Sequence, residues 1–316
     1  ANVRVFTRTS MVGAYTDNLI TAYQQGGPRD SFDQRYIEIR AQSVVVATGC
    51  RERPLIFENN ERPGVMQVAC AHRLARTYGL LPGEQAVFSV GHDLGLEAAL
   101  DLYDLGLKVQ AVADCREEGH NPRLIQGLKE RNIPFYAGWL AQEALGRPVV
   151  SGARISTVDG TVTRDFSCDV LVASAGLTPV TEPLRLVQSR CAFDQHTGYF
   201  LPVEYPEGIF PAGRMWGINA SGSIEASGRL AGLQAAAACG AGCGKEIEAA
   251  REAMNSLPGP EYGSKVVTAP VSGRKSFICF DEDVSVKNIT QSLAQGFDVP
   301  ELIKRFSSAG TGPGQG

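Results

Sequence analysis

The chain has 316 residues, of which 43% are hydrophobic and 20% charged, and its formal net charge is −4. This composition predicts a folded chain with a sizeable core and argues against a nucleic-acid partner, because there is no basic excess to neutralise phosphates. No apolar run reaches the roughly 20 residues that a membrane-spanning helix needs, so we expect no membrane segment.

The first fifty residues predict strands. Residues 3–6 are strand-like, and because no element precedes them we expect that the chain was cut from a longer protein. Residues 34–40 alternate as a half-buried strand does. Residues 43–47 form a continuous apolar run that stops at Thr48 and Gly49, which is typical of a buried strand ending in a turn.

A βαβ unit is predicted next, after a helix over 66–79. It consists of a buried strand at 86–90, a helix from Gly95 to Leu105 and a strand at 109–114. This order implies a parallel sheet with a right-handed crossover. The apolar face of the helix is expected to carry Leu96, Ala99, Leu100 and Tyr103.

The rest of the chain continues the α/β pattern and then changes character. The predicted elements are a helix at 121–131, a strand at 134–136, an Asp-Gly hairpin at 158–161, buried strands at 168–176 and 209–213, and a helix at 224–238. A Gly/Pro/Ser-rich stretch at 240–274 precedes a small unit with a strand at 276–280 and helices at 286–295 and 299–307. Six apolar residues predict that these two helices share one face: Leu293, Phe297, Val299, Leu302, Ile303 and Phe306.

The turn of the βαβ unit is a broken dinucleotide fingerprint. If Gly95 is the third glycine, Val90 and His92 stand at the other two positions, and Asp114 ends the next strand where a ribose-binding acid belongs. His92 would obstruct the close approach of a pyrophosphate. We therefore favour a Rossmann-type unit that has lost its nucleotide over one that binds it.

Two other strand ends have the features of a ligand-binding edge. Thr48-Gly49 and Ala212-Gly213 both follow predicted strands, and open α/β sheets bind ligands at the carboxyl ends of their strands. A complete βαβ unit lies between them in the sequence. This order is typical of one dinucleotide domain interrupted by a second.

Several segments together resemble a known family. They are TRTSMVGAY (7–15), VVVATGCRERPLIFENNERPGVM (44–66), AGLTPVTEPL (175–184), FPAGRMWGINASGSIEASGRLAG (210–232) and the tail at 276–316. The set resembles pyridine-nucleotide-disulfide-type oxidoreductases and, more closely, alpha subunits of heterotetrameric sarcosine oxidase and related amine or opine oxidases.

The resemblance implies an α/β fold of two interleaved Rossmann-like dinucleotide-binding domains with parallel sheets, plus a small C-terminal helical domain. The expected first domain, of the FAD/NAD type, comprises 1–65 and 168–245, and the second, of the NAD(P) type, is inserted at 66–167. A linker at 246–274 and a small α-rich domain at 275–316 follow. The family's first fingerprint and its folate-binding domain are expected beyond the two ends of the chain.

The resemblance also implies a function. In this family the alpha subunit holds a non-catalytic NAD, and a flavin-carrying beta subunit oxidises a small secondary amine such as sarcosine. This segment is therefore expected to be a NAD-binding structural portion of such an oxidase, with no catalytic residue of its own. The cofactor-binding residues carried over are Met11, Thr48, Gly49, Ala212, Gly213, Gly217 and Asn219.

Arg214 bears on which cofactor is bound. Flavoproteins of this superfamily have an acid at this position to hold sugar hydroxyls, whereas an arginine donates and suits a phosphate. NAD is therefore favoured, while FAD stays possible.

The cysteines and histidines predict neither a metal site nor disulfide reductase chemistry. The eight cysteines contain no Cys-x-x-Cys pair, and the four histidines, His72, His92, His120 and His196, are spread out. We expect reduced, buried cysteines in a cytoplasmic protein. Two rivals stay open: an active FAD- and NAD(P)H-dependent oxidoreductase that uses Asp114, and an interaction module without a cofactor.

Overall fold

The computed structural model describes residues 3–195, 197–257, 270–271 and 275–312. The chain divides into two compact units: unit 1 falls within Ala1–Arg51 and Thr178–Gly263, and unit 2 within Glu52–Leu177 and Ser264–Gly316. The domain boundaries inferred from the sequence stay a prediction. His196, much of the predicted linker and the last four residues lie outside the described residues.

The strands begin with an antiparallel group and continue into the α/β part. They are β1 (Thr9–Tyr15), β2 (Leu19–Gln25), β3 (Gln34–Arg40), β4 (Val44–Val46), β5 (Cys50–Arg53), β6 (Val65–Met66), β7 (Gln85–Val90), β8 (Lys108–Asp114), β9 (Phe135–Ala137), β10 (Trp139–Leu145), β11 (Gly152–Thr157), β12 (Thr163–Ser167), β13 (Val170–Ala173), β14 (Gly176–Pro179), β15 (Arg190–Asp194), β16 (Tyr199–Glu204), β17 (Ile209–Pro211), β18 (Phe277–Cys279) and β19 (Val284–Ser285).

The helices are α1 (Val68–Tyr78), α2 (Asp93–Asp104), α3 (Pro122–Glu130), α4 (Glu182–Leu186), α5 (Ser221–Ala238), α6 (Gly244–Asn255), α7 (Val286–Ala294) and α8 (Pro300–Ser307), and Gly213–Trp216 form a 3-10 turn. Over the residues that the structure describes, none of these helices has the length and apolarity to cross a membrane.

Unit 2 is built on a five-stranded parallel sheet in the order β6-β13-β7-β8-β9. Alternate residues of β7 pack into different hydrophobic clusters, because successive side chains of a strand point to opposite faces of the sheet. Phe88 packs in a cluster with Leu96 and Leu102 of α2, whereas Val87 packs in another with Leu140 of β10. Both faces of the strand are covered, which explains its continuous apolar run.

Unit 1 contains the three-stranded antiparallel sheet β1-β2-β3, the hairpin β15-β16 and the parallel pair β4-β17. Its core gathers Ala14, Leu184, Val187, Ile209 and Met215. The core lies among short elements, so the pair β4-β17 is covered less completely than the sheet of unit 2.

Most of the predicted elements are confirmed, and four details are wrong. Residues 34–40 form the strand β3, but it is almost entirely exposed rather than half-buried, because it lies at the edge of a three-stranded sheet. Residues 3–6 form no strand, and Val3 and Val5 are exposed, because regular pairing begins only at Thr9. The middle residue of β4, Val45, is exposed rather than buried, since a strand of a two-stranded pair lacks cover on one face. On α2 the exposed residue is Tyr103, and Leu102 takes its predicted place in the core.

The small C-terminal unit consists of β18, β19, α7 and α8. The two helices pack together, with the rings of Phe297 and Phe306 4.6 Å apart, as the shared apolar face predicts. Leu293, Val299 and Leu302 of that face are nevertheless exposed among the described residues. Two helices of nine and eight residues cannot bury a whole apolar face between them.

Candidate functional site

The parallel pair β4-β17 brings two predicted strand ends to one edge in unit 1. Val46 lies opposite Pro211 in the register, and the Ala212 N–H donates to the Val46 carbonyl at 2.9 Å. The two chain segments leave this pair in the same direction, so the residues that follow each strand emerge side by side. Those residues are Thr48 and Gly49 after β4, and Ala212 and Gly213 after β17.

The glycines at this edge have backbone conformations that other residues seldom adopt. Gly49, Gly213 and Gly217 have φ angles of 74°, 73° and 73°. A Cβ atom on Gly49 would meet no heavy atom of the described chain within 4 Å, so its surroundings are open. The Gly213 N–H is already satisfied, because it donates to the Ser227 hydroxyl at 2.9 Å. The positive φ angles thus explain why these positions are glycines, and open space lies next to Gly49.

Helix α5 begins just beyond this edge without a side-chain cap. Its N-cap residue is Ala220, which follows the half-buried Asn219, and no acidic residue lies in the first turn. The first N–H groups of a helix have no partner within the helix and favour an anion. The local chemistry suits a phosphate-bearing group.

Two buried donors on the 3-10 turn lack acceptors. The Arg214 Nε and Trp216 Nε1 atoms are buried and have no hydrogen-bond partner among the described residues. Between them Met215 is fully buried in the core. Buried polar groups without partners are unusual, and these two are donors only. They fit a ligand with acceptor oxygens, as a dinucleotide has.

Met11 is held by a different sheet from the other six predicted residues. It lies on β1, where it pairs with Ala22, and its side chain is exposed. The six others follow β4 or β17. Four of the predicted residues therefore lie directly at the edge formed by β4 and β17. Gly217 and Asn219 follow on the segment after β17, and Met11 lies on β1 in a different sheet.

In unit 2, His92 occupies the turn of the second fingerprint with its own hydrogen bonds. It is the N-cap of α2: its Nδ1 accepts from the Gly95 N–H at 3.2 Å, and its Nε2 lies 2.8 Å from the Ser174 hydroxyl. Because Nδ1 accepts, the proton of the neutral ring is on Nε2, which donates to Ser174. Burial, reinforced by the positive charge of Arg116, lowers the pKa of His92 to about 4.

Asp114, the predicted ribose-binding acid, is likewise engaged by the protein. Its carboxylate is fully buried and accepts from Arg116, whose Nη2 also donates to Asp93 at 2.8 Å. Although burial raises it, the nearby His120 imidazole and Arg116 guanidinium hold the pKa of Asp114 below its usual range. The acid is therefore charged but already neutralised by an internal partner.

Position 95 must be glycine because the side chain of Val90, which stands at the position of the first glycine, packs directly against it. A Cβ atom on Gly95 would lie 2.6 Å from Cγ1 of Val90, which is too close for two carbons. The third glycine of the fingerprint thus retains its role in packing helix against strand. The unit has the fold of a nucleotide-binding domain, and in its turn region His92 and Asp114 are hydrogen-bonded to Gly95 and Arg116.

Sequence reasoning missed Glu52 and Ser174, which extend this polar cluster. The Glu52 carboxylate accepts from the Ala69 N–H at 2.8 Å at the start of α1 and also bonds to Ser174. Burial raises the pKa of Glu52. Ser174 is fully buried. Its position after an apolar strand was visible in the sequence, but nothing there pointed to partners 82 and 122 residues away, since contacts of that range depend on the sheet order.

The prediction that all the cysteines are buried is wrong. All eight are free; Cys115, Cys168 and Cys279 are buried, whereas Cys70 and Cys239 are exposed because they lie on the outer faces of helix ends. Burial raises the pKa of Cys115 and of Cys168 to about 12, so both stay as thiols. In the described part of the chain, no group of three or more side chains is arranged to hold a metal ion.

Two family models match the chain. The model described as pyridine nucleotide-disulphide oxidoreductase matches residues 2–207, and the model described as sarcosine oxidase A3 domain matches residues 273–316. The second match coincides with the small C-terminal unit.

Curated relatives extend the likeness to the full chain. The alpha subunit of sarcosine oxidase from Corynebacterium sp. (strain P-1) is 28% identical over 98% of this chain and 33% of its own length. The protein of the same name from Rhizobium meliloti (strain 1021) is 26% identical over 100% and 31%. An opine oxidase subunit from Agrobacterium tumefaciens (strain Ach5) is 23% identical over 88% and 62%. The chain thus spans about a third of the length of the sarcosine oxidase alpha subunits that it matches.

Solved structures share the fold. L-proline dehydrogenase from P. horikoshii superposes with a TM-score of 0.72 at 21% identity, over 96% of this chain and 55% of that one. Thioredoxin reductase from T. acidophilum superposes with a TM-score of 0.53 at 18% identity, over 73% and 72%. The fold class and the resemblance inferred from the motifs are both confirmed. Because its family model covers more than half of the 316 residues, the protein belongs to the pyridine nucleotide-disulphide oxidoreductase family.

Proposed function

We propose that this chain is the NAD-binding structural portion of the alpha subunit of a sarcosine-oxidase-like, multi-subunit amine oxidase. In this proposal a partner beta subunit carries the flavin and oxidises a small secondary amine such as sarcosine. The names of the relatives, which are oxidase subunits, support an oxidoreductase assembly.

The observation that carries the proposal is the edge formed by β4 and β17. Two strands that are 165 positions apart end side by side there, next to the uncapped start of α5. Of the residues proposed to hold NAD, six lie on the segments that leave this edge: Thr48, Gly49, Ala212, Gly213, Gly217 and Asn219. Met11 is the seventh residue of the proposal.

The residues at this edge bind and orient; none is proposed to move a proton or a hydride. NAD accepts and donates hydride in enzymes that use it for redox chemistry. Here the described edge offers turns, N–H groups and the donors of Arg214, and it lacks a neighbouring acid–base pair. A holding role therefore suits it better than a catalytic one.

FAD is the alternative occupant, since the family includes flavoproteins. Arg214 disfavours it, because a guanidinium has no acceptor for the hydroxyl protons of a ribityl chain. An active enzyme that draws electrons from NAD(P)H is disfavoured by the second unit, where His92 and Asp114 already have internal partners.

The test is the identity of any dinucleotide that accompanies the protein. The chain, expressed with its natural neighbours and then separated from the beta subunit, would be denatured with acid and the released nucleotide identified by mass spectrometry. We expect NAD, and no flavin absorbance at about 450 nm from the separated chain. Stoichiometric FAD released from this chain would overturn the proposal and favour the flavoenzyme.

A further inference from the structure

Arg214 carries a charge that the described part of the chain does not neutralise. Its side chain is half-buried, its Nε atom is fully buried, and it makes no hydrogen bond or ion pair with any described residue. Arg116, which is similarly enclosed, pairs with both Asp114 and Asp93. Removing an N–H donor from water without an acceptor is unfavourable, and Arg214 also carries a positive charge, so it is suited to bind an anion.

Trp216 adds a second donor from the same turn. Its indole N–H is buried without an acceptor among the described residues, whereas a buried tryptophan normally finds one. The indole packs against the core of unit 1, and Met215 between the two residues is fully buried. The turn is thus held firmly by the core while it carries two unsatisfied donors.

We propose that Arg214 and Trp216 bind the pyrophosphate oxygens of a dinucleotide. The inference rests on the proposed function for the identity of the dinucleotide, although the anion site itself can be examined without it. A guanidinium forms charge-assisted, often bidentate hydrogen bonds with phosphate oxygens. An acid at the same position would instead accept from sugar hydroxyls and repel a phosphate.

The experiment uses the intrinsic fluorescence of Trp216. The sequence contains only two tryptophans, so Trp139→Phe leaves Trp216 as the single reporter. The complete chain with this substitution would be titrated with inorganic pyrophosphate, with NAD and with NADP at two salt concentrations. We expect a saturable change with pyrophosphate and NAD that weakens at high salt, because the attraction is between charges.

Variants at Arg214 separate its charge from its shape. Arg214→Gln should weaken binding of pyrophosphate and NAD about tenfold or more, since a charge-assisted bond is lost. Arg214→Lys should retain part of the affinity. Arg229→Gln, which removes an exposed arginine from α5, is the matched control and should change nothing.

The outcomes distinguish the two proposals. If Arg214→Gln binds NAD and pyrophosphate as tightly as the parent, the inference is wrong and the proposed function stands. If pyrophosphate binds through Arg214 but NAD does not, the anion site stands and the proposed NAD function fails. If the folded parent protein binds neither, the inference is overturned. A response to NADP that is stronger than to NAD would assign Arg214 to the terminal phosphate and overturn its assignment to the pyrophosphate.

Discussion

At the scale of single residues, the second fingerprint shows how a nucleotide site can be filled from within. His92 caps α2 through Nδ1, and Arg116 neutralises Asp114 and Asp93. His92 and Asp114, the two positions that matter most in the fingerprint, therefore each have a protein partner at hydrogen-bonding distance. His92 is therefore well accommodated at the position of the second glycine, and the protonation state of its imidazole can be measured.

The stability of the chain should depend on the charge of His92. The pKa of His92 is lowered to about 4, while in the unfolded chain it has its ordinary value of 6.5. Below pH 6.5 the unfolded state binds the proton more strongly, so stability falls as the pH drops from 6.5 to 4, by about 3 kcal/mol in all. Urea unfolding at pH 7.5, 6 and 5 measures this.

His92→Asn is the matched variant, because its amide oxygen can cap the Gly95 N–H without titrating. It should remove this part of the pH dependence. His72→Gln, at a partly exposed histidine, serves as the control. An unchanged pH slope in His92→Asn would show that the buried imidazole is not the group responsible.

Replacing Gly95 by alanine should destabilise the protein, although alanine usually stabilises a helix relative to glycine. Its Cβ would press on Val90, so Gly95→Ala is expected to lower the free energy of unfolding by about 1–3 kcal/mol. Gly232→Ala in α5, where a Cβ meets nothing within 4 Å, should instead be neutral or stabilising. Thermal unfolding compares the two. The double substitution Val90→Ala/Gly95→Ala should lower the free energy of unfolding by less than the sum of the two single substitutions. Strict additivity would contradict the packing argument.

At the scale of elements, the small C-terminal unit is fastened by the turn at 58–60. The Asn60 side chain accepts from the Phe277 N–H at 2.8 Å and donates to the Phe277 carbonyl at 2.9 Å. Asn59 donates its N–H to the Lys275 carbonyl at 2.7 Å, and the Ser276 hydroxyl donates to Glu58. These bonds, rather than burial of α7 and α8, hold the unit to its neighbour.

Asn60→Ala should therefore loosen the small unit selectively. Both Phe277 backbone groups would lose their partner, at a cost of about 1–3 kcal/mol. Hydrogen exchange of amides in β18, α7 and α8 should speed up, while exchange in the five-stranded sheet stays the same. Asn255→Ala, at an exposed position, is the control. Equal acceleration throughout unit 2 would mean that the turn supports the whole unit.

Sequence periodicity predicted strongly covered elements better than exposed ones. The strands β7, β8 and β13 have continuous apolar runs because both faces of their sheet are covered, and all three were predicted. The strands β1 and β2 were not, because their exposed residues give no alternation that a single sequence reveals. Their pairing instead follows from the turn at Thr16–Asn18 and from contact with α4.

At the scale of the whole molecule, the strand edges of the two units differ in whether their polar side chains are hydrogen-bonded within the protein. The edge of unit 1 leaves Arg214 and Trp216 without acceptors in the described chain, while at the edge of unit 2 His92 and Asp114 are hydrogen-bonded within the protein. A protein with two dinucleotide-type units is thus expected to take up a single dinucleotide.

Calorimetric titration should give no more than one NAD per chain. His92→Asn should leave the affinity unchanged, because the proposed site lies in the other unit, whereas Arg214→Gln should lower it. Asp114→Asn extends the comparison, provided that circular dichroism shows the variant to be folded. Tight binding of NADH that is lost in Asp114→Asn but kept in Arg214→Gln would reverse the assignment of the two units.

The sequence alone determined the family, the α/β class and the order of most elements, because these depend on local patterns and on motifs that survive at 23–28% identity. It also indicated that Val90 and His92 break the second fingerprint. Only the tertiary structure decided what surrounds His92, since Ser174 and Arg116 come to it, and Glu52 to Ser174, from distant positions in the sequence. It likewise decided that Arg214 and Trp216 lack partners, because whether a polar group is satisfied depends on every neighbour in space and not on its neighbours along the chain.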